Sequence, residues 1–222
     1  PAIAYYDSSY NDLKYIRAND ATGSSWPSSL DPVDGPDAVG RYASLAIVDG
    51  HPAIAYRDDD NTALKYTRAD DAIGATWTFS MTVDNSANVG EYASLAVVDG
   101  RPAIAYYDST TDDLKYVRAE DASGTTWGMP LILDSAGNVG QYASLAVVDG
   151  RPAVAYYDST NKDLKYIHAR DAAGETWYPP LVLSSDGEVG EFTFLAEIDG
   201  RPAIAYYDAT NLDLRFIIPH WE

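Results

Sequence analysis

One phrase, Pro-Ala-Ile/Val-Ala-Tyr, recurs at Pro1, Pro52, Pro102, Pro152 and Pro202, which makes the chain a repeat with a period of 50 or 51 residues. A unit of this length that returns so often buries its apolar surface mainly against its neighbours, so it folds as a solenoid, an array or a propeller. Trp26, Trp77, Trp127 and Trp177 keep the same beat, as do Asp-Gly turns ending at Gly50, Gly100, Gly150 and Gly200. Within one copy, Ser144 to Val148 reads as strand A, and Asp149-Gly150 supplies residues that tolerate positive φ for a tight hairpin. Ala153 to Tyr157 reads as strand B, with Pro152 at its head. Asp158 to Asp163 reads as a polar turn, Leu164 to His168 as strand C, and Trp177 to Leu183 as strand D.

Strands A and B are apolar at both parities, which predicts burial on both faces, and no segment has the 3.6-residue period of a helix. The expectation is an all-β chain: a β-propeller of five blades, each a four-stranded antiparallel sheet, with blade segments over 1–36, 37–86, 87–136, 137–186 and 187–222. The strand tally gives the first blade no strand A and the last blade no strand D. Completion is expected from an upstream segment of the same chain or from a neighbouring chain, since open strand edges invite pairing.

The loop between strands C and D reads Asp-Ala-x-Gly-x-Ser/Thr-Trp, as in Asp20 to Trp26, Asp71 to Trp77, Asp121 to Trp127 and Asp171 to Trp177. It resembles the Asp-box of sialidase-type and other secreted propellers, although the Asp stands one residue further from the Gly. The whole chain is similar to the tandem propeller repeats of secreted prokaryotic proteins. That resemblance implies a loop that holds the fold together, and not an active site.

The formal net charge is −19, a field that repels nucleic acid and anionic membrane surfaces, so neither is expected as a partner. Cysteine is absent, which excludes disulfides, thiolate metal sites and a cysteine nucleophile. No apolar run is long enough to span a membrane as a helix.

Candidate sites follow the repeat. Asp7, Asp58, Asp108, Asp158 and Asp208 open the turns between strands B and C; they read as turn caps or, alternatively, as oxygen ligands for Ca²⁺. Tyr6, Tyr107, Tyr157 and Tyr207 close strand B beside those carboxylates, with Arg57 in the second copy. Arg101, Arg151 and Arg201 follow the Asp-Gly turns. An aromatic platform with a carboxylate and a guanidinium nearby suits a sugar, so these tyrosines and arginines are the expected ligand-binding set. Glu197 stands where other copies have Ile47, Val97 and Val147, and it is the one candidate for a catalytic carboxylate.

Near-identical blades favour a non-enzymatic, extracellular or cell-surface binding protein that recognises glycans or a surface protein weakly at many equivalent sites. Two alternatives stay open. One is a structural subunit that self-associates through its open blade edges. The other is a glycoside hydrolase or lyase of propeller fold, which needs carboxylates in unlike environments that strict repetition does not provide.

Overall fold

A computed structural model describes residues 1–27, 31–35 and 37–219. The strands group into five antiparallel sheets in chain order. The first holds β1 (Ala2–Asp7), β2 (Asp12–Arg17) and β3 (Pro32–Asp34). The second holds β4 (Val39–Val48), β5 (His51–Asp58), β6 (Ala63–Arg68) and β7 (Phe79–Asp84), and the third β8 (Val89–Val98), β9 (Arg101–Asp108), β10 (Asp113–Arg118) and β11 (Leu131–Asp134). The fourth holds β12 (Val139–Val148), β13 (Arg151–Asp158), β14 (Asp163–His168) and β15 (Leu181–Ser184), and the fifth β16 (Val189–Ile198), β17 (Arg201–Asp208) and β18 (Asp213–Ile217). No helix occurs among the described residues.

Strands A, B and C lie where the repeat predicts, each extended by one to a few residues. Strand D differs. It begins at Leu131 or Leu181 in the third and fourth sheets, after Pro130 and Pro179-Pro180, and Trp127 and Trp177 form only isolated bridges to Ala119 and Ala169. Proline lacks the N–H that a ladder needs, so the paired strand starts beyond it. At the A–B hairpins both turn residues have positive φ (Asp149 48°, Gly150 71°), the geometry that matches the right-handed twist of the flanking strands.

The strand A elements β4, β8, β12 and β16 pack against one another in sequence and so line the axis. Hydroxyls tie them together: Ser44, Ser94 and Ser144 accept the backbone N–H of Leu95, Leu145 and Leu195, each at 2.9 Å. Between sheets, an apolar layer repeats. Leu64 and Tyr66 of the second sheet, for example, pack with Val89, Ile104 and Tyr106 of the third. Beside it lies a buried polar knot. Asp134, ending β11, accepts Tyr156 Oη at 2.6 Å and Lys165 Nζ at 2.5 Å from the next sheet. Asp34 receives Tyr56 and Lys65 in the same way, and Asp84 receives Tyr106, with Lys115 at 3.7 Å. Burial pushes the Asp134 carboxyl up, but the bonds from Lys165 and Tyr156 outweigh it and leave it below its ordinary value.

The C–D loops clamp adjacent sheets at the lower end, where the A–B hairpins also lie. Asp121 accepts N–H or O–H groups from Ser123, Thr125 and Thr126, and Trp127 Nε1 donates to Gly124 O at 3.0 Å. The indole meets Tyr66 of the preceding sheet edge-on at 5.1 Å, and Tyr66 Oη donates to Ser123 O at 3.1 Å. Trp77 on Tyr15 and Trp177 on Tyr116 repeat the contact.

Candidate active site at the axial mouth

The B–C turns and the D–A loops share the upper end of the sheets. There each inner strand opens Val-Gly-x-aromatic: Val39 to Tyr42, Val89 to Tyr92, Val139 to Tyr142, Val189 to Phe192. The strand bulges at this point, shown by the register shifts around Arg41, Glu91, Gln141 and Glu191. Gly40 needs its φ of +107° and its missing side chain, because a Cβ would lie 2.8 Å from the Leu13 backbone. Tyr42, Tyr92, Tyr142 and Phe192 hold φ near 53°, 52°, 53° and 52° without being glycine. Such strain costs about 1 kcal/mol or more per residue and marks positions whose direction matters.

The bulges turn the four rings toward the axis. Consecutive centroids lie 4.9, 4.6 and 4.5 Å apart, an aromatic arc. With Ala43, Ala93, Ala143, Thr193 and Phe194 the rings line an open cavity of 430 Å³. Thr193 stands where the others have Ala, and its hydroxyl donates to the Tyr142 carbonyl.

Around this floor the repeat breaks. The residue before each ring is Arg41, Glu91, Gln141 or Glu191, a different group in each sheet except for the two glutamates. Glu91 lies 3.5 Å from Arg57, whose guanidinium is buried and also donates to Asp59 at 2.6 Å, Val89 O at 2.9 Å and Asn88 at 2.5 Å. Arg41 reaches the same Asp59 at 3.0 Å. Gln141 donates to Asn138, which joins Asp112 and Tyr107. Tyr107 is pushed up to about 12 by burial and by its bond to Asp112. Glu191 has no ion-pair partner among the described residues; its charge, after burial, raises Tyr142. The two glutamates, each next in sequence to a ring of the arc, thus stand in unlike electrostatic settings, Glu91 against Arg57 and Glu191 without an ion-pair partner among the described residues.

The expected ligand-binding set is not brought together. Tyr107 and Tyr157 are buried at the upper end of strand B, where they back Tyr92 and Tyr142 at 6.2 Å. Tyr207 stands behind Phe192 at 6.3 Å, and Tyr6 lies under Arg41 at 5.2 Å. Arg101, Arg151 and Arg201 open the same strands at the lower end, about 20 Å away for six residues of extended chain. Asp7, Asp58, Asp108, Asp158 and Asp208 sit one per sheet. Each caps its own turn, as Asp58 does by accepting the N–H of Asn61 at 2.9 Å. No three His, Cys, Asp or Glu side chains among the described residues converge on a metal-sized site. Glu197 is exposed near the lower end, accepting Asp149 N–H at 3.1 Å, remote from the mouth.

The aromatics of the arc escaped sequence reasoning because Tyr42, Tyr92 and Tyr142 look like part of an apolar strand. The signal that would find them is the variable residue inside an otherwise constant Val-Gly-x-aromatic phrase. A larger cleft of 680 Å³ lies at the lower end, between Tyr15 and the loop of Gly74 to Thr78. Among the described residues its lining holds one carboxylate, Asp31.

No family model and no curated relative matches the chain. Solved structures do. A K499G mutant of NanB sialidase from Streptococcus pneumoniae aligns with a TM-score of 0.62 and 18% identity over 92% of this chain and 34% of that one. An exo-1,5-α-L-arabinanase from a bovine ruminal metagenomic library gives 0.56 and 11%, covering 100% of this chain and 89% of that one. A β-1,3-galactosidase of glycoside hydrolase family 43 gives 0.55 and 9%, over 94% and 50%. The fold is a β-propeller. The chain spans about a third of the sialidase. The propellers it resembles are hydrolases, and they overturn the expectation of a non-enzymatic, multivalent binder. The structure supplies a physical reason: the blades are not equivalent next to the mouth, because the residue before each ring changes from sheet to sheet and makes different contacts.

Proposed function

We propose that the propeller is a glycoside hydrolase acting at the axial mouth, with Tyr42, Tyr92, Tyr142 and Phe192 as the sugar-stacking floor and Glu91 and Glu191 as the carboxylate pair. The observation that carries this reading is the broken repeat at 41, 91, 141 and 191, which sets two glutamates beside rings of the arc, close enough for their charges to act on Tyr42 and Tyr142, in unlike surroundings. Glycosidic cleavage needs that difference, since one carboxyl group protonates the leaving oxygen while the other acts as base or nucleophile. Glu91, facing the Arg57 guanidinium, takes the base or nucleophile role, and Glu191 the acid role. Sugar faces stack on aromatic rings, and the hydrolase folds of the similar propellers support the same class. The C–D loops then serve as a variant of the Asp-box, knitting the scaffold, and an extracellular glycan is the natural substrate class.

A panel of aryl glycosides and neutral polysaccharides, scored for released phenol and reducing ends, tests this. Wild-type protein cleaves at least one member, and Glu91→Gln and Glu191→Gln each lower the rate about 10²–10⁴-fold. Glu191→Gln retains more activity on aryl leaving groups, which need less protonation. No cleavage anywhere on the panel, or full activity in both variants, refutes the assignment.

A further inference from the structure

The sheets at the two ends of the array are unlike the three between them. Leu64, Leu114 and Leu164 are fully buried beneath the next sheet, whereas Leu214 is 81% exposed and Phe216 60%. Ile54, Ile104, Val154 and Ile204 are likewise buried, whereas Ile3 is 50% exposed. The strand edges tell the same story. Strands β2, β6, β10 and β14 each pair with a strand D, and β18 has none among the described residues. Strands β5, β9, β13 and β17 each pair with an inner strand A, and β1 has none.

A polar group is also short of its partner. Tyr56 and Lys65, Tyr106 and Lys115, and Tyr156 and Lys165 each receive a carboxylate from the strand D of the preceding sheet. Tyr5 and Lys14 occupy the same positions in the first sheet. Lys14, with a side chain only 11% exposed, has Asp12 at 3.5 Å and, among the described residues, no such carboxylate.

We infer that the gap between the fifth and first sheets is a binding site for one D–A β-segment of this repeat's pattern. Its first strand adds to β18, its aspartate reaches Tyr5 and Lys14, and its second strand adds to β1. One segment fills both edges because, at each inner junction, strands D and A are consecutive, joined by four residues such as 135–138. Among the described residues of a second copy the open edges are again those of a B and a C strand, so these residues offer neither edge its missing strand. Such a segment also carries a fifth Val-Gly-x-aromatic phrase to the mouth. The inference stands independently of the hydrolase reading, because it concerns strand pairing and not chemistry.

The probe is a peptide of residues 129–150 of this chain, which holds β11, Asp134 and β12. The expected result is saturable 1:1 binding with a raised thermal midpoint and burial of Leu214 and Phe216, while a scrambled peptide does nothing. An Asp134→Asn peptide binds at least about tenfold more weakly, and the Lys14→Met protein no longer discriminates the two peptides. Placing residues 129–151 directly ahead of Pro1 gives a second readout that does not depend on peptide solubility, with a midpoint that rises and stays independent of protein concentration. The proposal falls if the extended protein is no more stable and the peptide does not bind. It falls equally if the unextended protein assembles through these faces and neither peptide nor extension displaces the assembly.

Discussion

The two ends of this propeller follow opposite rules. At the lower end the loops Asp71 to Trp77, Asp121 to Trp127 and Asp171 to Trp177 repeat one hydrogen-bond pattern and one indole–tyrosine contact. At the upper end the same position is Arg, Glu, Gln and Glu in turn. Repetition holds where each sheet must fit the next, because the same interface has to be built again at every junction. Repetition lapses beside the axial mouth, at the residue before each ring. The lesson is that in a near-identical repeat the departures carry more functional information than the constant residues.

If that division is right, substitutions at the sheet junctions should cost stability and those at the mouth should not. The largest stability loss is expected for Asp134→Ala, which leaves Lys165 buried with only Asp158, 3.6 Å away, as counter-charge. A loss of about 3 kcal/mol in urea unfolding is expected, at the lower end of what a broken buried ion pair costs. Trp127→Ala removes a half-buried indole and its Tyr66 contact, with an expected cost of about 2–3 kcal/mol, below the full range for a completely buried tryptophan. At the mouth, Tyr142→Gly is expected to cost under about 1 kcal/mol, since a glycine relieves the strain of the positive φ and offsets part of the lost contact, while KM rises several-fold.

The smallest effect concerns acid. Backbone and side-chain bonds, led by that from Ala75, hold Asp71 at about 2, below its ordinary 3.8. A lowered folded-state value contributes stability above the unfolded value and loses it as pH falls through the folded one. The thermal midpoint should therefore drop between about pH 4 and pH 2, and Asp71→Asn should flatten that acid limb slightly. An identical acid limb in the variant would place the stabilising carboxylates elsewhere, with Asp34 and Asp134 the first to check.

Much of the scaffold was legible in the residues. Period, hairpins and strand types followed from Asp-Gly turns and apolar runs, both local signals. The start of strand D did not, because Trp127 marks the loop clamp while Pro130 delays the ladder. The site was largely illegible, since it depends on which end of a strand faces which. Tyr107 and Arg101 are close in sequence yet lie at opposite ends of β9, and the bulge that turns Tyr92 to the axis leaves no mark except Gly90. Arg57, noted only as a substitution for tyrosine, proves to be the group that makes Glu91 unlike Glu191.

The most direct test of this division is a paired measurement on Glu191→Gln, hydrolytic rate and urea midpoint on the same sample. The account predicts a rate lower by about 10²–10⁴-fold with a midpoint that does not move. An unchanged rate, or a rate and a midpoint that fall together, would contradict it and return the upper end to a structural role.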